Sequence, residues 1–287
     1  MNAAQDEARR KQDASKITAY CKLEAHLQNQ RTKPDRSAAT LEHLTQLLGA
    51  NPEHYTMWNF RREVLESLDD RQLLERDLTW GIDLLQRFPK VYWIWNHRRW
   101  VLLKLNDGKM WKRELDLVGM LLERDGRNFH GWHYRRDVVR QIETIEGIIT
   151  TESELEYTQE KINRNFSNFS AYHNRILLLQ RREPTAAIFD GELKYAKGAV
   201  LMDPTDQSAW NYYRWLISSS FWQPVRPVEL LPNELDDLHE LLLEEPECLQ
   251  LVNTIWLMGR LSGQEDVTLR QKLAGMDPKR AQRYLEY

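Results

Sequence analysis

The chain has 287 residues, of which 40 are basic and 43 acidic, for a formal net charge of −3. Charges of both signs are interspersed, which excludes nucleic-acid binding by charge alone, and the longest apolar runs, such as 176–179, fall far short of the roughly 20 residues that cross a bilayer. The two cysteines, Cys21 and Cys248, lie far apart without a CxxC pair or a signal-peptide pattern, so a soluble protein of a reducing compartment with no disulfide framework is expected.

In chain order, Met1–Lys16 is polar and charged and reads as a mobile stretch or one exposed helix. Ile17–Leu27 is suited to pack as an extra helix, so 1–40 forms a polar segment plus helix. From Leu41 onward the sequence repeats. Five segments align without gaps on an aromatic anchor, at Trp58, Trp95, Trp132, Tyr172 and Trp210, separated by 37, 37, 40 and 38 residues. Self-similarity at such a period is the signature of a solenoid.

Within each segment, the residue three before the anchor, the anchor itself, an arginine three or four after it and an aliphatic seven after it share one helical face. Helices are predicted near 55–68, 91–105, 128–142, 168–181 and 206–219, with a degenerate sixth at 247–262 around Trp256. Asn51-Pro52, Pro89, Asn128, Asn168 and Asp203-Pro204 lie just ahead of the anchors and read as caps or first-turn prolines. Second amphipathic stretches alternate with these helices: Leu41–Leu48, Leu73–Phe88, Trp111–Leu122, Ser153–Ile162, Leu193–Leu201 and Leu235–Leu243. The expected fold is therefore all-α, one solenoid of tandem helical hairpins over 41–287, closed by a short pair around Leu269–Leu273 and Arg280–Tyr287.

The motif has two readings. In the structural one, the aromatics Trp58, Trp95, Trp132, Tyr172 and Trp210 fill the space between layers. The arginines Arg62, Arg99, Arg136, Arg175 and Arg214 then fix turns by bonding carbonyls or carboxylates. In the functional one, the polar residue after each anchor (Asn59, Asn96, His133, His173, Asn211) belongs to a wall facing a partner. A solvated helix face would look the same. His130 and His133 stand three apart and could share a metal, but no third ligand lies at metal spacing, so the pair reads as surface or packing. The acidic stretches Glu152–Glu160 and Glu234–Glu245 read as solvated helix faces, with docking as a secondary role. No HExxH, P-loop, GxGxxG or nucleophile elbow occurs, and nothing forms a self-contained active site.

Five aromatic-anchored repeats at this period resemble those of protein prenyltransferase α subunits, from about Leu41 to the C-terminus, and differ from tetratricopeptide repeats, which run at about 34 residues. Within that family, the stretches Asp125–Arg136, Asn163–Asn168 and Asp203–Trp210 are most similar to the Rab geranylgeranyltransferase type, in its compact form without inserted domains.

The resemblance implies a right-handed α-α superhelix around a β subunit that holds both the catalytic zinc and the lipid pocket, with no metal or other cofactor on this chain. It implies a cytoplasmic enzyme that moves geranylgeranyl from its diphosphate to C-terminal cysteines of Rab GTPases presented by an escort protein. The escort would dock on the outer helices near Ser153–Ile162, Leu193–Leu201 and Leu235–Leu243. It also implies that Lys90 and Tyr92, in Pro89-Lys90-Val91-Tyr92, face the diphosphate, where a lysine at a helix N-terminus suits an anionic leaving group. The family's frequent Met-His-Gly start is replaced by Met1-Asn2-Ala3. The alternatives are the α subunit of farnesyltransferase or type I geranylgeranyltransferase, acting on CaaX tails, and a scaffold without chemistry.

Overall fold

A computed structural model describes residues 3–33, 36–264 and 266–286; expectations that touch Met1, Asn2 and Tyr287 lie outside the described residues. The described residues form fifteen α-helices and two short 3₁₀ turns. The chain folds as two compact units, 1–122 with 128–147, and 123–127 with 148–287.

The first unit opens with α1 (Ala3–Arg31), a single helix where a polar segment and a separate helix were expected. Residues 5–7 and 9–16 are solvent-exposed, and the helix packs on α2 (Ala38–Ala50) through its later half. There Leu27 is fully buried, Tyr20 accepts a hydrogen bond from Asn51 at 2.9 Å, and Glu24 pairs with His54 at 2.9 Å. Hairpins follow: α2 with α3 (Tyr55–Leu68), then α4 (Arg71–Arg87) with α5 (Tyr92–Leu105). In the third, α6 (Gly108–Arg124) meets α7 (Phe129–Glu146), which runs on beyond the expected end at 142. The second helices stand side by side, α3 on α5 and α5 on α7.

The second unit repeats the scheme with α8 (Thr151–Arg164) and α9 (Phe169–Leu179), α10 (Ala186–Met202) and α11 (Gln207–Ser218), and α12 (Leu230–Glu244) and α13 (Leu249–Ser262). The pair α14 (Val267–Met276) and α15 (Ala281–Leu285) ends it, and α9, α11 and α13 form its row of second helices.

All five anchors are buried. Trp58, Trp95 and Trp210 use their indole N–H to close the turn that precedes their own helix, donating to the carbonyls of Pro52, Pro89 and Pro204 at 2.8, 3.0 and 2.8 Å. A large apolar ring thus fills the layer while its one polar atom is satisfied. The prolines lie in these turns, not in the first turn of a helix, and Asn51 and Asp203 stabilise the turns by accepting from Glu53 and Thr205 backbone N–H groups. Among the expected start signals, Asn128 and Asn168 are true caps, accepting from Gly131 and Ala171; α11 is capped by Asp206.

In the first four repeats the buried arginine stands three residues after the anchor: it is Arg61, Arg98 and Arg135, not Arg62, Arg99 and Arg136, and in the fourth Arg175 as expected, while the fifth has Tyr213 at that position. The offset of three turns the guanidinium into the buried layer, between its own hairpin and the first helix of the next, whereas the offset of four turns it along the row of second helices. Arg61 grips Asp77 at 2.7 and 2.5 Å, Arg98 grips Glu114 at 2.7 and 2.6 Å, and Arg175 grips Glu192 at 2.8 and 2.6 Å. Each also donates to a carbonyl of the preceding first helix, at Leu41, Leu78 and Leu155.

The next repeat supplies a second donor to the same carboxylate: His97 to Asp77 at 2.9 Å, Tyr134 to Glu114 at 2.7 Å and Tyr212 to Glu192 at 2.5 Å. Every such acid is held by two consecutive repeats. Breaking one pair would strand a buried charge, at a cost of about 3–5 kcal/mol. Gly81 makes room for this, since a Cβ there would lie 2.8 Å from Arg98 Nη1.

The arginines at the offset of four reach sideways. Arg62 donates to Asn96 of the next second helix at 2.5 Å, Arg99 pairs with Asp137 at 3.4 Å, and Arg214 donates to Thr254 at 3.1 Å. Arg136 lies beside His133 of its own helix at 3.3 Å.

Candidate functional site

The α4–α5 turn carries Pro89 and Lys90, and α5 then starts at Tyr92 behind Val91, which gives no side-chain cap. Its first-turn N–H groups therefore lack a side-chain acceptor, and the exposed Lys90 stands beside them. The Lys90 ammonium has no carboxylate partner among the described residues.

Tyr92 is about half exposed, at 48%. Its ring meets Trp93 edge-on at 5.2 Å and lies 6.2 Å from His130 on α7. The His130 ring is hydrogen-bonded to the Lys90 main chain, which ties the start of α7 to the Lys90 turn. Burial, with the neighbouring His133 adding to it, lowers the His130 pKa from its ordinary value.

Between α5 and α7, wholly inside the first unit, lies a recess of about 260 Å³. Tyr92, Trp95, Phe129 and Tyr134 form its apolar lining, and Asn96, Arg99, His130, His133 and Asp137 its polar one. Asp137 is the carboxylate of that lining. Its charge is taken up by Arg99 at 3.4 Å and Arg140 at 3.1 Å, with His133 at 3.8 Å. The lining thus holds one arginine paired with one carboxylate, and Tyr92, Asn96 and the two histidines give it further polar hydrogen-bonding groups.

The structure brings Tyr92, Asn96 and His133 to this one place, and Lys90 lies in the turn just before Tyr92, outside the lining. Asn59, His173 and Asn211 are exposed on other second helices and do not join it. His130, Asp137 and the inward turn of Arg99 were not drawn from the sequence as parts of a site. The signal for them was their spacing: positions 129, 130, 133 and 137 of one helix face positions 92, 96 and 99 of its neighbour. Among the described residues, no group of three or more His, Cys, Asp or Glu side chains converges as a metal-binding set, and His130 and His133 find no third ligand.

The protein prenyltransferase alpha subunit repeat matches five stretches, 38–68, 74–105, 111–142, 151–182 and 189–220, each containing one hairpin's second helix and much of its first. The chain belongs to the protein prenyltransferase alpha subunits. A Schizosaccharomyces pombe relative, "Geranylgeranyl transferase type-2 subunit alpha", is 35% identical over 99% of the chain and 94% of its own length. The Saccharomyces cerevisiae protein of the same name is also 35% identical, over 96% of the chain and 93% of its own. The Homo sapiens one is 36% identical, over 74% of the chain but only 40% of its own length, so most of the human subunit has no counterpart in the match. The solved structure "Candida albicans protein geranylgeranyltransferase-I complexed with GGPP" shares the fold, with a TM-score of 0.75 over 93% of this chain and 88% of that one at 23% identity. No helix among the described residues is long and apolar enough to cross a membrane.

Proposed function

We propose that this chain is the α subunit of a heterodimeric geranylgeranyl transferase that modifies C-terminal cysteines of Rab GTPases presented by an escort protein, and that it acts only when joined to a β subunit. The observation that carries this is the match over nearly the full length of the chain to two type-2 alpha subunits, in a fold whose α5 and α7 enclose a recess with polar and aromatic lining.

In the transfer, a bond forms between the cysteine sulfur and C1 of the geranylgeranyl group while the C1–oxygen bond breaks and diphosphate departs. Negative charge grows on the departing oxygens. In this reading the Lys90 ammonium, the uncapped N–H groups of α5 and the Tyr92 hydroxyl would hold that charge, with His130 steadying the Lys90 turn. The cysteine would be presented as its thiolate by a zinc ion expected on the β subunit, with none of this chain's residues as ligands. The exposed ring of Tyr92 and those of Tyr55 and Phe129 on the neighbouring second helices would meet the β subunit. The escort is assigned to the second unit, where an open groove of about 590 Å³ lies between α8 and α10 and includes Ile162, Phe166, Lys194 and Tyr195.

Co-expression with a type-2 β subunit, and in parallel with a farnesyltransferase β subunit, tests the assignment by size-exclusion chromatography with light scattering. A 1:1 complex with the type-2 partner alone is expected. Binding only the other β subunit would move the substrate to CaaX proteins, and binding neither would favour a scaffold. In the assembled enzyme, Lys90→Ala should lower turnover on the order of 10- to 100-fold with assembly intact; unchanged turnover removes Lys90 from the mechanism.

A further inference from the structure

Two arginines of unlike role follow each other on α3. Arg61 is locked in the buried layer, bonded to Leu41 of its own hairpin and Asp77 of the next, while Arg62 reaches along the second helices and donates from Nη2 to Oδ1 of Asn96 on α5 at 2.5 Å. The Asn96 amide is thereby oriented, because its oxygen is committed to a cation and its NH2 must point the other way. That NH2 donates to the hydroxyl oxygen of Tyr92, one turn back on the same helix, at 3.5 Å, the far end of hydrogen-bonding range. A phenol has one hydrogen, and an oxygen that already accepts from Asn96 does not need that hydrogen for Asn96. If the amide were flipped, its oxygen would instead draw the Tyr92 hydrogen to itself and away from the recess.

We infer that Arg62 and Asn96 form a positioning relay that fixes the polarity of the Tyr92 hydroxyl, so that its hydrogen is held available to the anionic leaving group. This rests on the proposal above that Tyr92 faces the diphosphate. It assigns to Arg62 and Asn96 a part in the transfer step that neither a purely structural arginine nor a partner-facing asparagine would have. Arg62 suits the part because it is half-buried and always charged, and its guanidinium also lies 5.7 Å over the Trp100 ring, which limits its movement.

The relay is separable from packing by a double-mutant cycle on the assembled αβ enzyme, with geranylgeranyl diphosphate as the varied substrate and light scattering as the check of assembly. Asn96→Asp is the informative change: it is isosteric and keeps an acceptor for Arg62, but it has no NH2 and so reverses the bond to Tyr92. We expect Asn96→Asp and Tyr92→Phe each to lower kcat about tenfold with little change in KM, and the double variant to be no slower than Tyr92→Phe alone.

If the Asn96→Asp loss persists in full in the Tyr92→Phe background, the carboxylate acts through its charge and the relay is wrong. It is equally wrong if Asn96→Asp turns over like the unmodified enzyme while Tyr92→Phe is slow. A Tyr92→Phe enzyme of normal kcat would instead sink the placement of Tyr92 at the diphosphate. Arg62→Met, which removes the orienting donor but keeps bulk, gives a second route: its loss should also vanish in the Tyr92→Phe background, and a loss that simply multiplies overturns the relay.

Discussion

The two units carry their open surfaces on opposite members of the same hairpin. In the first, the recess lies between the second helices α5 and α7; in the second, the groove lies between the first helices α8 and α10. Inside, they are built alike, for Asp77, Glu114 and Glu192 each take an arginine from one repeat and a His or Tyr from the next. The repeat therefore prescribes what is buried and leaves the outward positions free to diverge.

The largest effect should come from attacking what the units share. Asp77→Ala in the first and Glu192→Ala in the second each strand a buried arginine and should each cost about 3–5 kcal/mol in urea unfolding followed by circular dichroism. A large loss in one and none in the other would break the claim of a common interior.

The outward faces should separate cleanly. A Cβ at Gly198, on the α8–α10 groove, meets nothing within 4 Å, so Gly198→Gln fits the helix while filling the groove. The apparent KM for the Rab–escort complex should rise about tenfold with kcat retained, opposite to the pattern expected for Lys90→Ala. An unchanged KM would take the escort off this groove.

Acid should act on one unit first. Burial pushes His97 down to about 4 against the pull of Asp77, whereas Arg61 and the hydrogen bonds from His97 and Arg61 overcome burial and hold Asp77 at about 2. A histidine whose folded pKa lies below its unfolded value of about 6.5 contributes stability that is full above 6.5 and is lost as pH falls toward 4; for Asp77 the loss comes only between about 3.9 and 2. Unfolding free energy should thus fall on the order of 2 kcal/mol between pH 7 and pH 5 through His97, and His97→Phe should flatten that slope. Tyr212, at the same repeat position in the second unit, is neutral throughout this range because burial and Glu192 raise its pKa. A slope that survives His97→Phe refutes the assignment.

Glycines provide the smallest contrast. Gly198→Ala should stabilise by about 0.5–1 kcal/mol through helix propensity alone. Gly81→Ala, whose Cβ would crowd Arg98, should destabilise; thermal melts of the two variants check the opposite signs.

Much of this was legible in the one-dimensional pattern. The anchors, the hairpin alternation and the second helices follow from periodicity, because an α-helix repeats its faces every 3.6 residues whatever its neighbours do. The family resemblance singled out Lys90 and Tyr92, which a lone exposed lysine and tyrosine would not have revealed. Three things needed the tertiary structure. Adjacent arginines 61 and 62 differ by about 100° around one helix, and only packing shows which of them points into a layer. Asp77, Glu114 and Glu192 look like ordinary surface acids in a sequence that is 29% charged, until two repeats close over them. His130, Asp137 and the Arg62–Asn96–Tyr92 chain are contacts between different hairpins, and the distance between side chains on separate helices is set by how those helices pack, which no local pattern encodes.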